Sequence, residues 1–178
     1  MEKELTKVSK YLSFILRHKP EEIGMVLDSN GWGEIETLIN NTTDFKLTHE
    51  LLDIVVETND KQRFSISEDG KKIRANQGHS IEIDLGLSDI EPPEYLLHGT
   101  AERFWANIQI EGLVKGNRHH VHLTRVEAVA KSVGSRYGKP VILKIMSLEM
   151  SKEGFKFYKT ANNVWLVELV PVKYIEKI

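Results

Sequence analysis

Apolar residues recur every three or four positions from Leu5 to Leu16: Leu5, Val8, Leu12, Ile15 and Leu16 share one side, with Lys7, Lys10 and Ser13 between them. This spacing predicts an amphipathic helix. It ends near His18, because Pro20 disfavours helical geometry at Lys19. After Met25-Val26-Leu27-Asp28, the run Ser29-Asn30-Gly31-Trp32-Gly33 carries turn chemistry, and a short helical stretch is expected around Ile35 to Ile39. A further helix is predicted from about Thr48 to Glu57, with Thr48 as N-cap and Leu51, Leu52, Val55 and Val56 inward. Arg63 to Ile66 and Ile73 to Ala75 then alternate apolar and polar residues around Glu68-Asp69-Gly70-Lys71, the pattern of a β-hairpin turned at Asp-Gly. Helix, helix, helix, hairpin is the order of a winged-helix module, a small fold that often meets nucleic acid.

The pattern breaks at Gly86-Leu87-Ser88-Asp89-Ile90-Glu91-Pro92-Pro93, which has acids, glycine and paired prolines but no periodicity. Residues 86–93 are the expected linker, separating a first lobe at 1–85 from a second at 94–178. In the second lobe Tyr95-Leu96-Leu97, Val121-His122-Leu123, the run from Pro140 to Met146 and the run from Val164 to Val167 read as strands. Phe104 to Ile110 reads as a helix closed by Gly112, and Thr124-Arg125-Val126-Glu127 matches a capping box opening another. The fold class expected is α+β, with the second lobe mixed and strand-rich.

Composition narrows the picture. With 40% hydrophobic and 28% charged residues and five prolines in 178 residues, the chain has a core to build. It contains no cysteine, which excludes disulfides and thiolate metal sites and fits a reducing cytoplasm. The charged N-terminus lacks an apolar signal core, and no stretch approaches the roughly 18 apolar residues of a membrane span; a soluble, cytoplasmic protein with no membrane partner is expected. The net charge of −2 argues against bulk electrostatic gripping of long nucleic acid, so any nucleic-acid contact must be local, a few arginines focused on one or two phosphates.

Arginine and histidine concentrate in three places: Arg17-His18, then Arg63 with Arg74 and His79, then Arg118-His119-His120-Val121-His122. With His98 these hold six of the seven histidines. Guanidinium forks fit phosphate oxygens, and a neighbouring histidine donates a hydrogen bond or moves a proton near neutral pH. Each has a plainer explanation: Arg17 and His18 at a helix C-terminus also complement the helix dipole, and Arg63 suits a solvated strand. His119, His120 and His122 invite a metal reading, but no Asp, Glu or Cys stands in similar register, and none is expected. His98, in Leu97-His98-Gly99-Thr100, follows a strand at a place where Gly99 would let backbone approach a ligand. The chain has no Gly-x-Gly-x-x-Gly, P-loop, Gly-x-Ser-x-Gly or cysteine nucleophile, which excludes the commonest nucleotide-binding and acyl-transfer arrangements.

Seven segments taken in order resemble the tRNA 2′-phosphotransferase family. They are Leu12 to Pro20, Gly31-Trp32, Lys61 to Phe64, Ile73 to Ser80, Leu97 to Thr100, Arg118 to Thr124 and Val133 to Pro140. Asn76 and Thr124 stand where the family more commonly has Ala or Val and Ser. The resemblance implies a winged-helix-like RNA-binding lobe followed by an NAD-binding lobe of the ADP-ribosyltransferase fold. It implies NAD⁺ as co-substrate, no metal, and action on RNA bearing an internal 2′-phosphate, as in tRNA processing; a monomer is expected, although the sequence leaves the oligomeric state open. It places the essential quartet on Arg17, His18, Arg63 and Arg118, and the NAD⁺ contacts on His98, Gly99, Thr100 and His122.

In the implied chemistry the 2′-phosphate attacks the anomeric carbon of the nicotinamide ribose and nicotinamide leaves. The ribose 2″-hydroxyl then attacks phosphorus and expels the RNA 2′-hydroxyl, giving ADP-ribose 1″,2″-cyclic phosphate. Arg17, His18 and Arg63 would hold the phosphate in line, Arg118 would stabilise the second transition state, and His18 would bind phosphate or protonate the leaving oxygen. Two alternatives stand beside this one: an ADP-ribosyltransferase that stops after the first step, and a non-catalytic reader of 2′-phosphorylated RNA.

Overall fold

The computed structural model describes residues 2–178, and the chain divides into two units, Met1–Gly86 and Leu87–Ile178. In the first unit the apolar stripe forms helix α1, Glu2–Arg17, and Val8, Leu12, Ile15 and Leu16 are buried along it. A short 3₁₀ turn at Pro20–Ile23 follows, closed by Gly24 in the left-handed region. Strand β1 (Gly33–Glu34), helix α2 (Ile35–Asn41) and helix α3 (His49–Glu57) come next. The Thr48 side chain accepts the N–H of Leu51 at 3.2 Å, the expected cap, a contact typically worth about 1 kcal/mol. Leu52 and Val55 are buried, with Leu51 and Val56 packed partly exposed against the same core.

Strands β2 (Phe64–Ile66) and β3 (Lys72–Ala75) form the expected hairpin, and Gly70 takes φ +71° in its turn. The sheet order is β1-β3-β2, all antiparallel, with Gly33 opposite Ile73, Phe64 opposite Ala75 and Ser65 opposite Arg74. Phe64, Ile73 and Ala75 join α1, α2 and α3 in one core, so alternation turns Ser65, Lys72 and Arg74 to the other face.

The second unit is built on antiparallel strands: β4 (Leu96–Ala101), β5 (Leu113–Val114), β6 (Val121–Leu123), β7 (Pro140–Ile145), β8 (Phe157–Lys159), β9 (Trp165–Val167), β10 (Leu169–Val170) and β11 (Ile175–Lys177). Three small sheets result, ordered β11-β7-β4, β6-β9-β8 and β10-β5. The helices are α4 (Trp105–Glu111), α5 (Glu127–Gly134) and α6 (Ser147–Lys152). Gly112 closes α4 at φ 75°, donating its N–H to Ile108 O at 2.8 Å. A bridge between Leu97 and Thr124, with N–H to O distances of 2.7 and 2.9 Å, ties β4 to the end of β6. Leu96, Leu123, Leu143, Ile145, Phe157 and Trp165 lie in the shared core. In the stretch expected as a linker, Ile90 N donates to Phe157 O at 2.9 Å and Asp89 accepts from Phe157 N at 3.3 Å, so this stretch is tied to β8.

The capping box at Thr124 does not form. Helix α5 begins at Glu127 with Val126 in the cap position and no side-chain cap bond. The backbone of Thr124 is committed to the bridge with Leu97, and its hydroxyl accepts from Val126 N at 3.1 Å. Strand pairing outweighs the local capping preference.

Candidate active site

In the first unit, Arg17 and His18 sit where α1 stops. The carbonyl of Arg17 accepts from Ser80 N at 3.0 Å, and His18 Nδ1 lies 2.8 Å from Ser80 Oγ. Gly78, at φ +88°, runs along the guanidinium: a Cβ there would stand 3.5 Å from Arg17 Cζ. Glycine enters this left-handed region without steric cost.

Arg63 is fixed from two sides. Its backbone N and its Nη1 both donate to Asn59 Oδ1, at 3.2 and 3.4 Å, and Asn59 Nδ2 donates in turn to Ser9 Oγ at 3.1 Å. Its carbonyl accepts from Asn76 N at 2.9 Å. The buried Asn76 side chain donates to Gln62 O at 2.6 Å and accepts from Ser65 Oγ at 2.6 Å, holding Gln62 at φ 42°. From Asn76, bonded to Arg63, to Ser80, bonded to Arg17, the chain advances four residues, at most about 14 Å. Arg17, His18 and Arg63 are therefore all tied to one short segment, residues 76–80.

In the second unit, β4 and β6 bring the other candidates together. His98 Nδ1 lies 2.9 Å from His122 O; a carbonyl only accepts, so Nδ1 carries the proton and the neutral ring presents Nε2 as a lone pair. Arg118 Nη1 lies 3.3 Å from His122 Nδ1, and since arginine only donates, His122 Nδ1 is the acceptor. One residue, His122, thus orients His98 through its carbonyl and meets Arg118 through its ring. Burial holds the His98 imidazole below its ordinary 6.5, and the Arg118 charge adds to that, against the bond to His122 O. His120 is also held below its ordinary value, by burial first and then by His119 and Lys115, and its ring stands edge-on to Tyr158 with centroids 5.5 Å apart.

The His98 shift has a stability consequence. The unfolded chain takes up a proton near pH 6.5 and the folded chain only below that, so the contribution is complete above about 6.5 and is lost as pH falls toward the folded value. The unfolding free energy is expected to drop as pH falls below about 6.5, and to drop less in His98→Asn, which keeps a donor for His122 O. Equal drops in denaturant titrations of the two proteins would contradict this.

Gly99 serves packing here. A Cβ at Gly99 would stand 1.7 Å from Ala130 O, and one at Gly134 2.5 Å from Thr100 O. These two glycines seat α5 directly on β4, and Thr100 is buried at that contact. The space of the side chain that Gly99 lacks is thereby filled by the helix. Asn59 went unremarked in the sequence, where an Asn four residues before an Arg is ordinary. Ser80 appeared only within a longer segment, since its bond to His18 spans 62 residues.

Among the described residues no His, Asp or Glu side chains converge in threes as a metal site. No described helix is long and apolar enough to cross a membrane.

Residues 3–169 match the family described as RNA 2′-phosphotransferase, Tpt1 / KptA family. The chain is 54% identical over 171 residues to a probable RNA 2′-phosphotransferase of Flavobacterium johnsoniae, covering 95% of this chain and 94% of that protein. It is 51% identical over 178 residues to a probable RNA 2′-phosphotransferase of Escherichia coli O45:K1, covering 98% of this chain and 92% of that one. A match that runs through both units at this identity leaves one assignment: the chain belongs to the RNA 2′-phosphotransferase, Tpt1 / KptA, family.

Proposed function

We propose that the protein removes an internal 2′-phosphate from RNA, of the kind left at a tRNA splice junction, by transferring it to NAD⁺. The observation that carries this reading is the family match over residues 3–169 in a chain that keeps Arg17, His18, Arg63 and Arg118. Three helices and a hairpin in the first unit support a winged-helix-like RNA lobe, and the antiparallel sheets of the second support an ADP-ribosyltransferase-like one.

The donor set of the second unit fits NAD⁺. A neutral His98 offers an Nε2 lone pair to a hydroxyl donor such as a ribose, and Arg118 supplies a permanent cation for a charged group. His98, Gly99, Thr100 and His122 would hold the dinucleotide, which supplies an anomeric carbon with nicotinamide as its leaving group. Arg17, His18 and Arg63 bind the 2′-phosphate and direct one of its oxygens at that carbon, which is positioning rather than base catalysis. An anionic phosphate needs no base, and no paired carboxylates are called for.

In the second stage the adjoining ribose hydroxyl attacks phosphorus, the bond to the RNA 2′-oxygen breaks, and that oxygen leaves with a proton. Arg118 offsets the charge that builds on the phosphoryl oxygens. His18, whose Nδ1 lies at the Ser80 hydroxyl, would contact the phosphate or protonate the departing oxygen.

The test is incubation of the purified protein with a short RNA carrying one internal 2′-phosphate, with and without NAD⁺, and mass analysis of the RNA. The RNA is expected to lose one phosphate only when NAD⁺ is present. RNA unchanged under both conditions contradicts the proposal.

A further inference from the structure

The face of the first unit's sheet turned away from its core carries a half-buried cation that the proposed reaction leaves unused. Ser65 on β2 is opposite Arg74 on β3, and opposed residues project to the same side of an antiparallel pair. Arg63, two residues before Ser65, belongs to that side by alternation, and the Asn76 N to Arg63 O bond continues the ladder to it. Arg63 and Arg74 are thus diagonal neighbours, a relation that sets residues about 7–8 Å apart.

Across the sheet, the Arg74 Cζ lies over the Trp32 ring, 4.6 Å from its centroid. Such a contact fixes the plane of the guanidinium fork. The two cations of β3 on this face are balanced differently. Lys72 has Glu34 at 3.8 Å and Asp28 at 4.0 Å, whereas no described carboxylate stands within ion-pair distance of Arg74. Among the described residues the one hydrogen bond of its fork is a long one, Nη1 to Asn30 O at 3.5 Å, and Nε is buried without a hydrogen-bond partner. A planar cation held on an indole, with the Asp28 charge nearby but no carboxylate in direct contact, is suited to an anion from outside the protein.

We infer that Arg74, seated on Trp32, binds the phosphodiester on the 3′ side of the ribose whose 2′-phosphate is held at Arg63. This rests on the function proposed above. The 2′ and 3′ oxygens sit on adjacent ribose carbons, so the two phosphates are neighbours and suit two arginines one diagonal step apart. A phosphate at the RNA 3′ terminus lacks that phosphodiester, so Arg74 gives the site a preference for internal 2′-phosphates.

The test compares two short RNAs with one internal 2′-phosphate, identical except that the linkage 3′ to the marked ribose is a phosphodiester in one and an uncharged methylphosphonate in the other. For wild-type protein, kcat/KM is expected to fall about tenfold or more on the neutral linkage, the scale of one hydrogen bond to a charged group. Arg74→Gln is expected to show that loss already on the native linkage and almost no further loss on the neutral one. Arg74→Lys, which keeps the cation without the fork, should fall between the two and provides the same comparison if the glutamine variant does not fold. A wild-type enzyme indifferent to the linkage, or an Arg74→Gln enzyme that still loses tenfold on neutralisation, overturns the assignment. Wild-type protein inactive on both RNAs overturns the function itself, a result separable from either.

Discussion

Arg118→Ala is expected to slow release of 2′-hydroxyl RNA by about 10²–10³-fold, the cost of removing one preorganised group that meets transition-state charge. The side chain is exposed on the loop between β5 and β6 and touches His122 Nδ1 at 3.3 Å. His122 itself is held in β6 opposite Leu166 of β9, so its backbone, and with it the bond to His98, survives the substitution. Binding of the RNA phosphate belongs to Arg17, His18 and Arg63 in the proposed division of labour, and is expected to change little. The first stage then outruns the second, and RNA carrying a bound ADP-ribose accumulates. Mass analysis of RNA during a single turnover distinguishes the cases. Wild-type turnover, or a slow reaction with no ADP-ribosylated RNA, contradicts this role for Arg118.

Gly99→Ala is expected to destabilise the second unit by about 3 kcal/mol or more, at the severe end of overpacking. The added Cβ would meet three backbone atoms of Ala130, at 1.7, 2.5 and 2.9 Å, and backbone yields less readily than a side chain. Gly99 cannot move away easily, because β4 is paired with β7 along its whole length, Gly99 opposite Ile142. For a unit of this size such a loss corresponds to a fall of roughly 12–24 °C in unfolding temperature. Gly116→Ala is the control: unlike Gly99 it sits at positive φ, +59°, but in open space, and should lose only about 1–2 kcal/mol. Similar unfolding temperatures for the two variants would show that the α5 contact does not require glycine at position 99.

These two sites also mark how far the sequence could be read. Helices α1 and α3 were legible because each repeats its apolar stripe over several turns, and Thr48 announced the second. The hairpin was legible from alternation flanking Asp-Gly. Strands β1, β5 and β10, two residues each, are too short to carry any period, and β8, β11 and α6 also went unpredicted. The capping box failed for the opposite reason: its local pattern was present, but Thr124 was taken by a partner 27 residues earlier in the chain.

The candidate residues divide in the same way. Arg17 and His18 were conspicuous by type, yet a helix end explains such residues equally well, and only the ordered set of family segments separated the two readings. The partners that orient them were hidden. Ser80 reaches His18 and Trp32 reaches Arg74 only once the hairpin and the chain after it are folded against α1 and β1. The Gly99 contact likewise needed the place of α5, which no local pattern encodes.

The central claim is the destination of the phosphate. RNA labelled with ³²P at a single internal 2′-phosphate, incubated with the protein and NAD⁺, follows it directly. The label is expected to leave the RNA and appear in ADP-ribose 1″,2″-cyclic phosphate, with one nicotinamide released for each phosphate moved. Label recovered as inorganic phosphate, released at the same rate without NAD⁺, would contradict the account.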